Sequence, residues 1–132
     1  MSWRLAADAV LLVHVAFIAF VVGGALLVAR NRRWAWVHLP AAAWGAYAEL
    51  TATLCPLTPL ENALRQRAGE AGYAGGFVEH YLIPLVYPAG LEPAQQRWIG
   101  AFVIVLNVAL YAWAWRRARR ARGIGVTSRS QA

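Results

Sequence analysis

The sequence predicts an all-α membrane protein with three transmembrane helices and a helical cap outside the cytoplasm. Of its 132 residues, 60% are apolar and 14% are charged, whereas soluble domains average about 45–50% and about 25%. Three apolar runs, residues 5–28, 34–54 and 98–115, are close to the ~20 residues that cross a bilayer. The more polar residues 55–93 would form the cap, within a single helical domain over residues 1–122.

The first apolar run, residues 5–28, is interrupted only by Asp8 and His14. A secretory signal peptide is the competing interpretation. The run exceeds the usual apolar region of such a peptide, and arginines rather than a small-residue cleavage site follow it. We therefore expect a retained membrane anchor, followed directly by Arg30, Arg32 and Arg33.

The second and third predicted spans each carry one stripe of small and polar residues at helical spacing. Small residues let helices approach closely, and polar groups in a membrane turn towards protein. We expect both stripes to pack against protein rather than lipid. They are His38, Ala42, Gly45 and Glu49 in the second span, and Gly100, Asn107, Tyr111 and Ala114 in the third.

Arginine placement predicts the topology. All thirteen basic residues are arginine, the net charge is +7, and residues 30–33 and 116–129 contain no acid. Cytoplasmic loops carry the excess of positive charge, so both clusters should be cytoplasmic and the number of crossings odd. Residues 77–91 then do not cross, the N-terminus is outside, and residues 123–132 are a disordered cytoplasmic tail. Four spans is the alternative.

The same arginines flank apolar runs, which favours the lipid bilayer as their partner and argues against nucleic acid. Bacterial inner-membrane localisation, multi-pass, is the corresponding expectation.

The cap contains a local helix-start motif, Thr58-Pro59-Leu60-Glu61. In a capping box, the Thr58 and Glu61 side chains would each bond the other's backbone N–H. We expect a helix over residues 57–68 with a narrow apolar face that includes Leu60 and Leu64.

Five polar residues are expected near the outer boundary: Asp8, Glu49, Cys55, Glu79 and His80. Together they would form an outward-facing pocket. An intramembrane carboxylate is costly, so Glu49 is the leading functional candidate. Its structural alternative is a pair with Arg97.

Metal and heme sites are two forms of this functional interpretation. Asp8, Glu49 and His80 offer ligands for a divalent cation, although no diagnostic ligand spacing supports them. His14 and His38 are the candidate heme ligands, but counting ~1.5 Å per residue places them roughly 10 Å apart in depth. That mismatch favours packing roles and argues against heme. The lone cysteine excludes an intramolecular disulfide.

Residues 55–88, CPLTPLENALRQRAGEAGYAGGFVEHYLIPLVYP, resemble the bacterial integral-membrane family catalogued as domain of unknown function 2784. The resemblance extends from Asp8 to about Arg116. It implies a bacterial inner-membrane protein without an assigned activity, and it supplies no catalytic residues.

Two functions remain open at this point. The first is a non-enzymatic binding or accessory subunit, whose small-residue stripes dock a membrane protein partner or a second copy. The second is a membrane enzyme, or a protein that binds metal, heme or a small ligand, using the cluster of Asp8, Glu49, Glu79 and His80.

Overall fold

The computed structural model describes residues 2–86 and 93–127, and this part of the chain contains helices and no strand. A 3₁₀ turn covers Arg32–Trp34 and a π-helix covers Val78–Leu82. The α-helices are α1 (Ser2–Gly23), α2 (Ala25–Arg30), α3 (Ala35–Thr51), α4 (Leu57–Arg67), α5 (Ile83–Val86) and α6 (Pro93–Thr127).

The first apolar run is divided at Gly24, where α1 ends and α2 begins. The His38 ring packs directly over this position. A Cβ atom on Gly24 would overlap the His38 ring and lie 2.5 Å from the Phe20 carbonyl oxygen. Glycine is therefore required here because α3 approaches the backbone of the first helix so closely.

A polar junction joins the three long helices at this break. The Val21 carbonyl accepts a hydrogen bond from Asn107 Nδ2 at 3.0 Å, and His38 Nε2 lies 3.4 Å from the same oxygen. His38 Nδ1 also pairs with the Tyr111 hydroxyl at 2.9 Å. His38 and Asn107 are both buried. The junction thus links α1, α3 and α6 through buried polar groups, although Asn107 Oδ1 has no partner among the described residues.

The two predicted stripes face other parts of the same chain, so the expectation that they pack against protein is confirmed. A Cβ on Gly45 would lie 3.0 Å from Val21, and one on Gly100 would lie 2.9 Å from Leu50. A partner or second copy, which these stripes were expected to dock, would have to use another face.

Helix α3 ends at Thr51, three residues before the predicted end of the second span. Ala52 adopts the left-handed conformation (φ 52°), and the Thr53 N–H bonds back to the Ala48 carbonyl. This left-handed cap turns the chain away from the helix axis. Helix α3 therefore ends here and is 17 residues long.

The predicted helix over residues 57–68 is observed as Leu57–Arg67, but its predicted capping box and apolar face are wrong. The helix begins at Leu57 behind Pro56, and no side chain caps it. Leu60, placed on the predicted apolar face, is 49% exposed, whereas Thr58 and Glu61 are buried. The polar face of α4 turns inward because it packs along α1, where partners for its charged groups are available.

The ambiguous residues 77–91 are described up to residue 86, as the π-helix and α5. Residues 87–92 lie outside the described part. Helix α6 is longer than the predicted span 98–115 and reaches Thr127, five residues into the predicted disordered tail. Residues 128–132 of that tail also lie outside the described residues.

Among the described residues, two helices are long and apolar enough to cross a membrane: Ser2–Gly23 and the Ala94–Arg122 part of α6. Their outer faces carry exposed large apolar side chains, among them Leu12 at 69% and Val105 at 67% exposure. Apolar helix faces left open in this way are typical of a surface that contacts lipid or another protein.

Gly24→Ala is expected to destabilise the fold by about 1–3 kcal/mol, because the added methyl group would displace His38 or the Phe20 backbone. Unfolding of the purified protein in mild detergent, followed by tryptophan fluorescence, measures the change.

Gly23→Ala is the matched control, since a Cβ there has nothing within 4 Å. It should be neutral or stabilising by up to ~1 kcal/mol, because alanine is the better helix former. Equal stability of the two variants would contradict the tight His38 contact.

Candidate functional site

A carboxylate buried in the cap is the centre of the polar structure. Glu61 is 0% exposed. Its Oε1 accepts hydrogen bonds from Arg65 Nε at 2.9 Å and from the Tyr81 hydroxyl at 3.0 Å, and its Oε2 accepts one from the Tyr73 hydroxyl at 2.9 Å. Removing a carboxylate from water is tolerated only with such donors around it.

Arg65 extends this cluster towards α1. Its Nη1 donates to Glu70 Oε2 at 3.0 Å, and its Nη2 lies 3.9 Å from Asp8 Oδ1. Glu70 is in turn paired with Arg4 Nε at 2.7 Å. One guanidinium therefore ties α4 both to α1 and to the loop that follows α4.

The loop after α4 is held by a pair of hydrogen bonds to the Asn62 side-chain amide. Asn62 Nδ2 donates to the Tyr73 carbonyl at 2.9 Å, and the Tyr73 N–H donates to Asn62 Oδ1 at 3.0 Å. Gly72 precedes this contact, and a Cβ there would lie 3.0 Å from Asn62 Oδ1. These paired bonds fix the backbone that presents the Tyr73 hydroxyl to Glu61.

The π-helix brings Tyr81 to the other side of the carboxylate. Its ring packs on Phe77 with centroids 5.0 Å apart and edge-on to Tyr73 at 5.3 Å. Phe77 is buried and its ring lies 4.2 Å from that of His14 on α1. The wider turn of a π-helix is common where a side chain must be redirected to a site.

Burial and the neighbouring Glu61 carboxylate raise the pKa of Tyr73 and that of Tyr81. The hydrogen bond to Glu61 also raises the pKa of Arg65. Since all three groups keep their protons at neutral pH, they remain donors to Glu61. The cluster is therefore a clamp whose carboxylate is already occupied by protein donors.

Two neighbouring cavities lie beneath this clamp, between α1, α3, α6 and the π-helix. The first encloses about 200 Å³ and has mainly apolar walls, including Phe17 and Phe102. The second encloses about 280 Å³ and has more polar walls, including Thr53 and Gln96. Both are lined by the same group of residues: His14, Ala48, Glu49, Cys55 and Val78.

His14 is the buried polar side chain at the boundary of the two cavities. It is 3% exposed, and its Nδ1 atom has no hydrogen-bond partner among the described residues. A buried imidazole nitrogen without a partner is unusual in a folded protein. It offers a hydrogen bond to a molecule held in the cavities.

The residues of the predicted pocket lie in different parts of the structure. Glu49 and Cys55 line both cavities. Asp8 instead lies beside Arg65, six residues and ~9 Å along α1 from His14. The exposed His80 stacks on Tyr73 with ring centroids 4.0 Å apart. The side chain of Glu79 lies outside the described part of the structure.

Among residues 2–86 and 93–127, no three His, Cys, Asp or Glu side chains lie close enough together to hold a metal ion. Asp8, Glu49 and His80, the predicted metal candidates, therefore do not form such a group. The heme candidates His14 and His38 lie in different environments. His14 lines the cavities, whereas both ring nitrogens of His38 face protein oxygen atoms.

The sequence interpretation missed the roles of Glu61, Arg65, Tyr73 and Tyr81. One signal was available: Thr58, Glu61 and Arg65 lie at i, i+3 and i+7, on one helical face. The capping-box interpretation used Thr58 and Glu61 for the helix start instead. The two tyrosines carry no comparable signal, since they reach Glu61 through a glycine-rich loop and a π-helix.

The family predicted from residues 55–88 is confirmed. Residues 4–112 match the family described as Protein of Unknown function (DUF2784), and the chain belongs to it. No curated protein and no solved structure matches the chain.

Glu61→Ala is expected to destabilise the cap by about 3 kcal/mol, because it leaves Arg65 and the hydroxyl groups of Tyr73 and Tyr81 without their common acceptor. Limited trypsin digestion should then cut faster after Arg67, and the unfolding midpoint should fall.

Glu70→Ala is the matched control, because this carboxylate is 25% exposed and such pairs contribute about 0.2–1 kcal/mol. If the two substitutions had equal effects on digestion and unfolding, Glu61 would not be the centre of the cap.

Proposed function

We propose that this member of the DUF2784 family is a small binding protein of the bacterial inner membrane that holds a small amphipathic molecule. The carrying observation is the pair of cavities with a shared boundary at His14, Glu49 and Cys55. An apolar cavity with a few convergent polar groups is the usual form of a ligand site.

The chemistry of the walls suggests the class of ligand. The apolar cavity suits an alkyl or aromatic body, while the Glu49 carboxyl and the His14 imidazole suit a head that donates hydrogen bonds. An uncharged alcohol or a protonated amine meets both requirements. Each cavity is smaller than the ~300–1,000 Å³ of common ligand sites, so the ligand is small.

The proposal places three crossings in the membrane, with α1 continued by α2, then α3, then α6. Helix α3 has 17 residues, the lower limit of the ~17–25 that span a bilayer. Arg30 and Arg117 line one cavity, which supports putting both arginine clusters on the same, cytoplasmic side. The clamp and the segment containing Tyr73 and Tyr81 then form the outer cap.

An enzyme is the second candidate function. The cavities bring the Cys55 thiol to the same walls as the His14 imidazole and the Glu49 carboxyl, and thiol nucleophiles commonly act with a neighbouring imidazole. His80 is not part of this group, since it stacks on Tyr73. An enzyme would convert a bound amphiphile, so a changed ligand mass after incubation distinguishes it from a binding protein.

The ligand class is tested through Cys55, which is the single cysteine and lines both cavities. In lipid nanodiscs, decanol and decylamine should slow the alkylation of Cys55 by N-ethylmaleimide, as measured by intact mass. Decanoate should protect less than decylamine by roughly tenfold or more, because its charge faces the Glu49 carboxyl.

Glu49→Gln should leave the protein inserted and folded while removing the preference for decylamine over decanoate. Alkylation at one rate with and without all three compounds would contradict the binding proposal. Protection that is identical in Glu49→Gln would contradict the role of this carboxyl.

The topology is tested with alkaline phosphatase, which is active only outside the cytoplasm. A fusion after Arg122 should be inactive, and a fusion after Gly69 in the cap should be active. High activity of both fusions would replace the three-crossing topology with an even number of crossings, and high activity of the Arg122 fusion alone would invert the proposed orientation.

A further inference from the structure

A third cavity, of about 650 Å³, lies between α2 and α6 at the end of the bundle away from the cap. Leu26, Arg30, Trp113 and Arg117 are among its lining residues. It is separate from the cavities beneath the clamp, with which it shares no lining residue.

Each helix presents the same kind of pair to this cavity. Leu26 and Arg30 are four residues apart on α2, and Trp113 and Arg117 are four residues apart on α6. Residues at this spacing lie on one face, one helical turn apart. Each wall of the cavity therefore has a large apolar side chain one turn before an arginine, and Leu27 adds a second apolar side chain on α2.

The two helices run in the same direction, which aligns these pairs. Val21, just before α2, is hydrogen-bonded to Asn107 on α6, and both chains then continue towards the same end of the bundle. The arginine of each pair is C-terminal to its apolar partner. The backbone positions of both arginines thus lie on the same side of the cavity, about 6 Å beyond those of their apolar partners along the helix axis.

In the part of the chain that the structure describes, no carboxylate pairs with the two arginines of this cavity, Arg30 and Arg117. The six acids lie between Asp8 and Glu92 in the sequence. The Arg117 guanidinium lies 5.5 Å from the centre of the Trp113 ring, a contact that leaves its N–H groups available to an anion.

We propose that this cavity binds an anionic phospholipid, with its phosphate between Arg30 and Arg117 and an acyl chain along Leu26 and Trp113. Guanidinium groups bind phosphate oxygens through paired hydrogen bonds. The apolar wall next to the cationic wall matches the order of chain and headgroup in a lipid. The inference rests on the membrane placement proposed above, but it assigns a site separate from that of the amphiphile.

Native mass spectrometry of the full chain in detergent tests the site with phosphatidylglycerol and phosphatidylcholine as probes. Phosphatidylglycerol should bind more tightly. Replacing both arginines, as Arg30→Gln with Arg117→Gln, should weaken its binding by about tenfold to thirtyfold, given the contribution of each basic residue near an anionic lipid.

Arg120→Gln with Arg122→Gln is the matched control, because it removes the same charge from the same end of the bundle but outside the cavity lining. This control should bind phosphatidylglycerol as the unaltered chain does. An equal loss in both double variants would overturn the site in favour of general charge attraction, and so would equal binding of the two lipids. Displacement of the lipid by millimolar inorganic phosphate would overturn the lipid assignment in favour of free phosphate.

Carbonate extraction of the host membranes separates this test from the membrane placement. Protein released by carbonate would contradict the placement itself. Protein retained in the membrane without a preference for phosphatidylglycerol would contradict the lipid site alone.

Discussion

The desolvated carboxylate of Glu61 is the constraint on which the cap depends. A buried carboxylate costs several kcal/mol unless donors replace its water, and here the replacements come from Arg65, Tyr73 and Tyr81. These donors lie on α4, the glycine-rich loop and the π-helix. The shared acceptor therefore ties these three segments to one another.

A second polar contact organises the bundle, by a different route. Gly24 interrupts the first helix. The nearby Val21 carbonyl accepts a hydrogen bond from Asn107, and His38 Nε2 lies 3.4 Å from the same oxygen. Between apolar helices in a bilayer, association relies on close packing and on interhelical hydrogen bonds rather than on the hydrophobic effect. The junction supplies both, because Gly24 gives the close approach and the polar side chains give directional contacts.

The sequence predicts those features that depend on residues close together in the chain, and it does not predict those that depend on contacts between distant segments. Helical content and the packed stripes of α3 and α6 were predictable, because they depend on spacing within one helix. The break at Gly24 was not, because a glycine in a long apolar run is compatible with a continuous helix until His38 is placed over it.

The pocket prediction grouped Asp8 with Glu49 by depth alone. The structure separates them because α4 packs along α1 and pairs Asp8 with Arg65.

The Glu61 clamp and the cavities meet at Phe77. This residue is adjacent to the π-helix that carries Tyr81, and its ring covers His14, whose unpaired Nδ1 atom lies at the cavity boundary. The Phe77 ring contacts both Tyr81 and His14, so the clamp and the cavity wall share one aromatic residue. The walls formed by α3 and α6 are joined to α1 through the separate polar junction at Val21.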